Sequence, residues 1–598
     1  MNKSYPLLRC LALYREMPWR FCLTALLFAL GNLGMVWQQW LLGRAVHDVE
    51  RGAAVVRLAD GSLDYTIALT WLAILFAVAL GRGLVQYCAG LLALIIGQDL
   101  LFILRERIFS QVQRLDLAYH RAHGVGGMVT RTTRDADKLR DALINFWRQV
   151  FETALLVIAS VGMLCWYSPL LGLVPLVITL IGMAVFIFQT DHLVTLDRAV
   201  GAAYDQVNQN LNEGVGGVRV IKAFGLEPVR IDDFATQVNA FVVHARTALA
   251  YATSRIPLPQ IIIALGHVWV LCYGAHLVGQ GHLNIGELVA SVLLVNTLVL
   301  RVEGIGRIMQ IFADARASAA RIWELLDARP RITGGHQPVP EGDPGMRLID
   351  VSVNPLGQGN PILSHCSLAI NAGEILAVVG ATGSGKSSLL AVLPRLLDVE
   401  AGKVLIGNDE HGWVDIRTVG TEALRQHVHV VPQESFLFSD TLAANLRIAR
   451  PDASDEALMD ALRMAGAEDV VQRLEQGLQT RIGDRGLTLS GGQRQRICLA
   501  RALLSQAAIL GLDDATSALD ATTERRILDN IRNFKQTHGR SVSLVIVSSK
   551  LSTVLLADRV AVLSHGKIIA QGTHQMLAAH NTVYRDLMGI EDGTTWPR

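Results

Sequence analysis

The chain has 598 residues, of which 51% are hydrophobic and 18% charged, with a mean hydropathy of +0.34. Such a length exceeds one ordinary domain, and such apolarity excludes a plain soluble enzyme. The formal net charge of +1, with no concentrated basic patch, excludes a nucleic-acid partner.

The amino terminus, MNKSYPLLRCLALYREMPWR, is interrupted by charges, and the apolar run behind it is too long for a cleaved leader. Residues 1–18 are therefore expected to form an interfacial helix. Six apolar runs follow, at Trp19–Val46, Tyr65–Gly97, Ala142–Trp166, Pro169–Gln189, Ala248–Val278 and Ile285–Met309. Each is long enough to cross a bilayer at about 1.5 Å per residue. Tyr167 and Ser168 alone separate spans three and four, and GQGHLN separates spans five and six. Long Lys- and Arg-rich stretches separate spans two and three (RERIFSQVQRLDLAYHRAH) and four and five (around RVIKAFGLEPVRIDD). The positive-inside rule places these stretches in the cytoplasm and the acidic loop HDVERGAAVVRLADGSLDY outside. Residues 19–310 read as the membrane domain, 311–346 as a linker ending in Pro and Gly, 347–590 as an α/β domain, and 591–598 as a tail. The seven cysteines are scattered without metal spacing and fit packing in a reducing compartment.

In the α/β part, ILAVVGATGSGKSS is a strand, a glycine-rich turn and a helix start. Gly380, Gly385, Lys386 and Ser387 fit G-x-x-x-x-G-K-[ST]; with Ala381, Thr382, Gly383, Ser384 and Ser388 they form a phosphate-binding loop. Backbone N–H groups there converge on phosphates, Lys386 reaches the outer phosphates, and the Ser387 hydroxyl ligates magnesium. About a hundred residues later comes LTLSGGQRQRICLARALL, whose Leu489, Ser490, Gly491, Gly492 and Gln493 open an amphipathic helix. The apolar run AAILGL then ends in Asp513 and Asp514.

Phosphate loop, LSGGQ and acidic pair, in this order behind six spans, resemble the ATP-binding cassette (ABC) transporter superfamily, in particular one half of an exporter of the type IV fold. The resemblance implies a membrane α-helical domain fused to an α/β P-loop cassette, with ATP and Mg2+ as cofactors. It implies that Gln433, in VVPQESFLF, ties magnesium to the membrane domain, and that Asp513 orders the metal. Ser517, Ala518, Leu519 and Asp520 match the family's D-loop. TRIGDRG (Thr480–Gly486) matches the segment ahead of the signature, with Asp484 where glutamate is usual. Leu115–Asp137 and Leu211–Glu227 resemble the two coupling segments.

Three positions depart from the family pattern. The residue after Asp513, ordinarily the glutamate that polarises water, is Asp514, shorter by one methylene. The H-loop histidine position, in VIVSSKLSTV, is Ser549, followed by Lys550 where arginine is usual. The adenine-stacking aromatic position aligns with Pro355 in LIDVSVNPLGQG. Serine carries no positive charge, and proline offers no aromatic plane. An intact LSGGQ beside an impaired acid and H-loop resembles the asymmetric heterodimeric exporters. The chain is then expected to pair with a different half-transporter, lending it the signature while its own P-loop binds ATP at a degenerate site.

The transported solute is read as an amphipathic small molecule, lipid or peptide, and the location as a multi-pass bacterial inner membrane with the cassette in the cytoplasm. A homodimer with slow turnover, a siderophore-type importer and an ATP-gated regulator or channel stay open as alternatives. Within the spans, Arg82, His267, Arg301 and Glu303 are candidate solute contacts or inter-helix partners. Pro257 and Pro259 are candidates for a kink in span five. His120 and His123 lie in the first cytoplasmic stretch, where a solvated or interface role fits better than a metal.

Overall fold

The computed structural model describes residues 6–57, 63–255, 257–354, 361–483, 489–515, 519, 521–538 and 542–590. It divides into two compact units, Met1–Gln113 with Gly126–Ala328, and Arg114–Val125 with Arg329–Arg598.

The first unit is helical. A short helix at Pro6–Leu11 and a 3-10 turn at Ala12–Glu16 lead into a helix at Pro18–Glu50. Further helices follow at Thr66–Arg114, Ala136–Tyr167, Pro169–Gly216, Glu227–Arg255, Pro257–Gly279 and Ile285–Asp327. A two-residue strand pair joins β1 (Val56–Arg57) to β2 (Leu63–Asp64) between the first two long helices. Among the described residues five helical runs are long and apolar enough to cross a membrane, and a shorter apolar stretch, Ile285–Val299, lies where the sixth span is expected.

The helices outrun the apolar windows that announce them. Thr66–Arg114 has 49 residues, about 70 Å at the α-helical rise, over twice a bilayer's hydrocarbon thickness. Its polar end, RERIFSQVQR, is rich in good helix formers, so the helix continues where hydropathy stops. The same holds at 311–327, which sequence assigns to the linker but which completes the helix Ile285–Asp327.

Turns form where local chemistry demands them. Ser168 is extended and caps a helix that starts with Pro169, whose missing N–H is no loss at a first helical position. Before span six, Asn284 Oδ1 accepts from Glu287 N at 2.8 Å, and Glu287 Oε2 accepts from Asn284 N at 3.0 Å, a complete capping box.

Small residues let the helices touch. A Cβ on Gly286 would lie 2.0 Å from the Gly43 carbonyl oxygen, and one on Gly43 would lie 2.6 Å from the Gly286 oxygen. The helices Pro18–Glu50 and Ile285–Asp327 thus meet backbone to backbone, as small residues allow in membranes. Gln39 Nε2 donates to Thr297 Oγ1 at 2.7 Å across the same pair.

The second unit carries two sheets. An antiparallel sheet orders β4 (Leu363–Ile370), β3 (Gly345–Val353), β6 (Ala401–Asn408) and β7 (Gly412–Asp415). The larger sheet runs β12 (Lys567–Gly572), β11 (Arg559–Ser564), β5 (Ile375–Val379), β10 (Ser543–Val547), β9 (Ile509–Asp513) and β8 (Val428–Val431). All its pairings are parallel except that of β12 with β11. Every residue of β5, β9 and β10 is buried, as expected of strands covered on both faces. This unit also holds residues 114–125, where Asp116 accepts backbone N–H groups of Arg331 at 2.5 Å and Ile332 at 3.2 Å. Gly124, at φ +67, breaks the following helix where the units divide.

The helix contact yields the first prediction. Gly286→Ala should lower the thermal midpoint of the detergent-solubilised protein, because overpacking costs about 1–3 kcal/mol. Gly90→Ala, where an added Cβ meets nothing within 4 Å, should leave it unchanged. Scanning fluorimetry of both variants checks this.

Candidate nucleotide-binding site

Parallel pairing gathers the site. Val547 at the end of β10 pairs with Val378 on β5 and with Asp513 on β9, so three strands finish on one edge. Ligands of open α/β sheets bind beyond such carboxyl ends. Past β5 comes the loop from Gly380 to the helix Lys386–Val392; past β9 comes Asp514; past β10 come Ser548 and Ser549. One cleft is lined by Gly380, Thr382, Gly383, Gly385, Lys386, Ser387 and Ser388 together with Gln433, Asp513, Asp514 and Ser549. Ala381 and Ser384 complete the loop, with Ser384 buried.

The loop's glycines are structurally required. A Cβ on Gly380 would fall 2.2 Å from the Leu563 carbonyl oxygen, and Gly385 sits at φ +105. Gly383, at φ +81, faces open space, so its backbone can approach a bound group. Lys386 Nζ donates to the carbonyls of Gly380 at 2.7 Å and Ala381 at 2.9 Å, which holds the ammonium over the loop. Burial lowers the Lys386 pKa from the ordinary lysine value, against the opposing pull of Asp513 and Asp514. Burial pushes the Asp513 carboxyl up; the nearby charge of Asp514 adds to this, while a Ser387 hydrogen bond and Lys386 oppose it. Ser384 Oγ is buried, and among the described residues it has no hydrogen-bond partner.

An ammonium, hydroxyls and a tight amide-bearing loop on one side, with Asp513 and Ser387 oxygens on the other, fit a polyphosphate and a hard cation with oxygen ligands. Asp514 has an unusual backbone, at φ +48. Its N–H donates to the Val547 carbonyl at 3.0 Å. Ser549 is exposed, while Ser548 beside it is 1% exposed.

The signature residues lie elsewhere. Ser490 caps the helix Gly491–Leu504, its hydroxyl accepting from Gln493 N at 3.3 Å while Gln493 Oε1 accepts from Ser490 N at 2.8 Å. Ser490, Gly492 and Gln493 line a second cleft, and Leu489 is buried. Ser517, Ala518, Asp520, Asp484 and Pro355 lie outside the described residues.

Of the polar residues expected within spans, Arg82 packs its stem against Gly34, where a Cβ would lie 3.7 Å from Arg82 Cγ. Its Nε is buried, and among the described residues it has no hydrogen-bond partner. His267 is half-buried, and the side chains of Arg301 and Glu303 lie outside the described ones. His123 stacks on Tyr119 with ring centroids 4.0 Å apart. Among the described residues no three His, Cys, Asp or Glu side chains could together hold a metal ion.

Sequence reasoning passed over Ile362 and Ser548, which also line the cleft, and Glu524, which is 1% exposed and hydrogen-bonded to Thr553 at 2.5 Å. An acidic residue one turn into a helix reads as solvated, and only its distant hydroxyl partners reveal otherwise.

Residues 21–302 match the family described as ABC transporter transmembrane region, and residues 363–517 match the ABC transporter family. The multidrug resistance-like ATP-binding protein MdlA of Escherichia coli is 32% identical over 530 residues, covering 87% of each chain. A multidrug efflux ATP-binding/permease protein of Mycobacterium tuberculosis is 34% identical over 546 residues, covering 89% of this chain. The chain spans only 44% of that relative's length. The structure of a bacterial Atm1-family ABC exporter with ATP bound superimposes with a TM-score of 0.81 at 23% identity, over 98% of this chain and 100% of that one. The chain therefore belongs to the ABC transporters, with one transmembrane region of the exporter fold ahead of one ATP-binding cassette.

Proposed function

We propose that this chain is one half of a heterodimeric, ATP-driven exporter whose own P-loop forms a poorly hydrolysing site and whose signature completes a competent site with a different half-transporter. The observation that carries the reading is the shared cleft of Lys386, Asp514 and Ser549, with the signature lining another cleft. The multidrug relatives and exporter fold support an amphipathic small molecule, lipid or peptide as cargo.

The loop from Gly380 to Ser388 would hold the phosphates of ATP. Ser387, Gln433 and Asp513 would hold Mg2+, which supplies charge neutralisation at the outer phosphates. Lys386 orients the outer phosphates. Asp514 stands where a base would accept a proton from water, but one methylene short, and a retreat of about 1 Å costs roughly 100-fold. The Asp514 N–H is anchored to the Val547 carbonyl at 3.0 Å. Ser549 brings no cation to stabilise the departing phosphate charge. Leu489, Ser490, Gly491, Gly492 and Gln493, with Asp520, then serve the partner's site.

A second chain is also favoured by the helix Val218–Phe224. It has no buried residue, and its Val220 and Phe224 are 57% and 74% exposed. Apolar side chains on a polar connecting segment suit a protein surface that covers them. We place the protein in a bacterial inner membrane with its cassette in the cytoplasm.

Three outcomes test the reading. Native mass spectrometry of the gently extracted complex should show this chain plus a second, different half-transporter; twice this chain's mass overturns the heterodimer. Asp514→Ala should change ATP turnover of the assembled transporter less than about twofold, whereas Ser490→Arg should lower it more than about 100-fold.

Magnesium binding should depend on pH with a definite sign. A raised Asp513 pKa means a proton competes for that carboxylate at less acid pH than usual. Lowering the pH from neutral should therefore weaken magnesium-dependent ATP binding more than magnesium-free binding. Asp513→Asn should abolish the difference, as fluorescence titration of a labelled nucleotide would show.

A further inference from the structure

We propose that Glu524 is a positioning residue, fixing Ser549 at the phosphate cleft through a relay of hydroxyls and tying that segment to Leu519. The inference rests on the composite-site reading above, because ATP turnover is its readout.

Glu524 lies in the first turn of the helix Ala521–His538 and is 1% exposed. A carboxylate so placed is costly unless hydrogen-bonded, and the helix amino terminus favours its charge. Two of its partners come from one short segment beyond β10. Thr553 Oγ1 donates to Glu524 Oε1 at 2.5 Å, and Ser552 Oγ donates to Oε2 at 3.3 Å. Thr553 Oγ1 accepts from Ser548 Oγ at 3.3 Å, and Ser548 Oγ accepts from the Lys550 backbone N–H at 3.1 Å.

This order has one direction. Thr553 gives its proton to Glu524, so it accepts the Ser548 proton, and the Ser548 lone pair goes to Lys550 N–H. The last bond closes over Ser549, which stands between its two ends. Ser549 is the exposed member and lines the cleft with Lys386 and Asp514. Lys550 Nζ also donates to the Leu519 carbonyl at 3.1 Å. The segment carrying Ser549 is thereby joined at two points to residues 519–524, which follow the acidic pair.

Full-length assembled transporter carrying Glu524→Gln, Thr553→Val or Thr553→Ser tests the relay by kcat, KM for ATP and thermal midpoint. Glutamine keeps the volume of Glu524 but lacks its charge and replaces one of its two acceptor oxygens with a donor. Because Lys550 ties the relay to Leu519, next to the Asp520 that serves the partner's competent site, the expected result is a kcat lowered about tenfold in Glu524→Gln and Thr553→Val, with KM within about twofold, and near-complete rescue in Thr553→Ser. Thermal midpoints should stay close to that of the unmodified protein. Should Glu524→Gln not fold, the contrast between valine and serine at 553 decides alone. Unchanged kcat in Thr553→Val, or a serine variant as impaired as the valine one, overturns the proposal. So does a loss of kcat that only tracks a falling thermal midpoint.

Asp514→Ala measured in parallel separates this inference from the reading it rests on. If that variant loses all turnover while the valine–serine contrast persists, the degenerate site falls and the relay stands. If it changes little and the relay variants are neutral, the relay falls and the degenerate site stands.

Discussion

Val547 pairs with both Val378 and Asp513, and through it the loop after β5 and the acids after β9 reach one edge of the sheet. No single segment of the sequence holds this site. Gly380, Asp514 and Ser549 are far apart along the chain and meet only because parallel strands of similar length end together. Burial of every residue in β5, β9 and β10 keeps that register, since slipping by one residue would turn each side chain to the opposite face.

The same edge brings the two positions that depart from the family pattern into one cleft. Asp514 and Ser549 reach the cleft from neighbouring strands, and each meets the loop that carries Lys386. The scaffold around them is intact: Gly380 still makes its close approach to Leu563, Ser387 still bonds Asp513, and Ser490 still caps its helix. On the proposed reading, binding features are kept and chemistry is left to the partner's site.

Much of this was legible in the chain, for identifiable reasons. The P-loop and the LSGGQ cap are contiguous, so their chemistry is written in adjacent letters. The turns at Ser168–Pro169 and Asn284–Glu287 follow from capping rules acting over three residues. Hydropathy located apolar helices but not their ends, because Thr66–Arg114 and Ile285–Asp327 continue on polar helix formers. The Glu524 relay was invisible, since its acid and hydroxyls sit 29 residues apart and each alone resembles a solvated side chain. The Gly43–Gly286 contact was equally hidden, as nothing local distinguishes these glycines from Gly90.

That glycine contact has a mechanical meaning. The Gly43 and Gly286 backbones sit so close that neither helix can slide past the other without lifting away, and the Gln39–Thr297 bond resists that separation. The helices Pro18–Glu50 and Ile285–Asp327 therefore behave as one stiff lever. Any opening and closing of the membrane unit must occur around this lever, with the shear taken up between other helices.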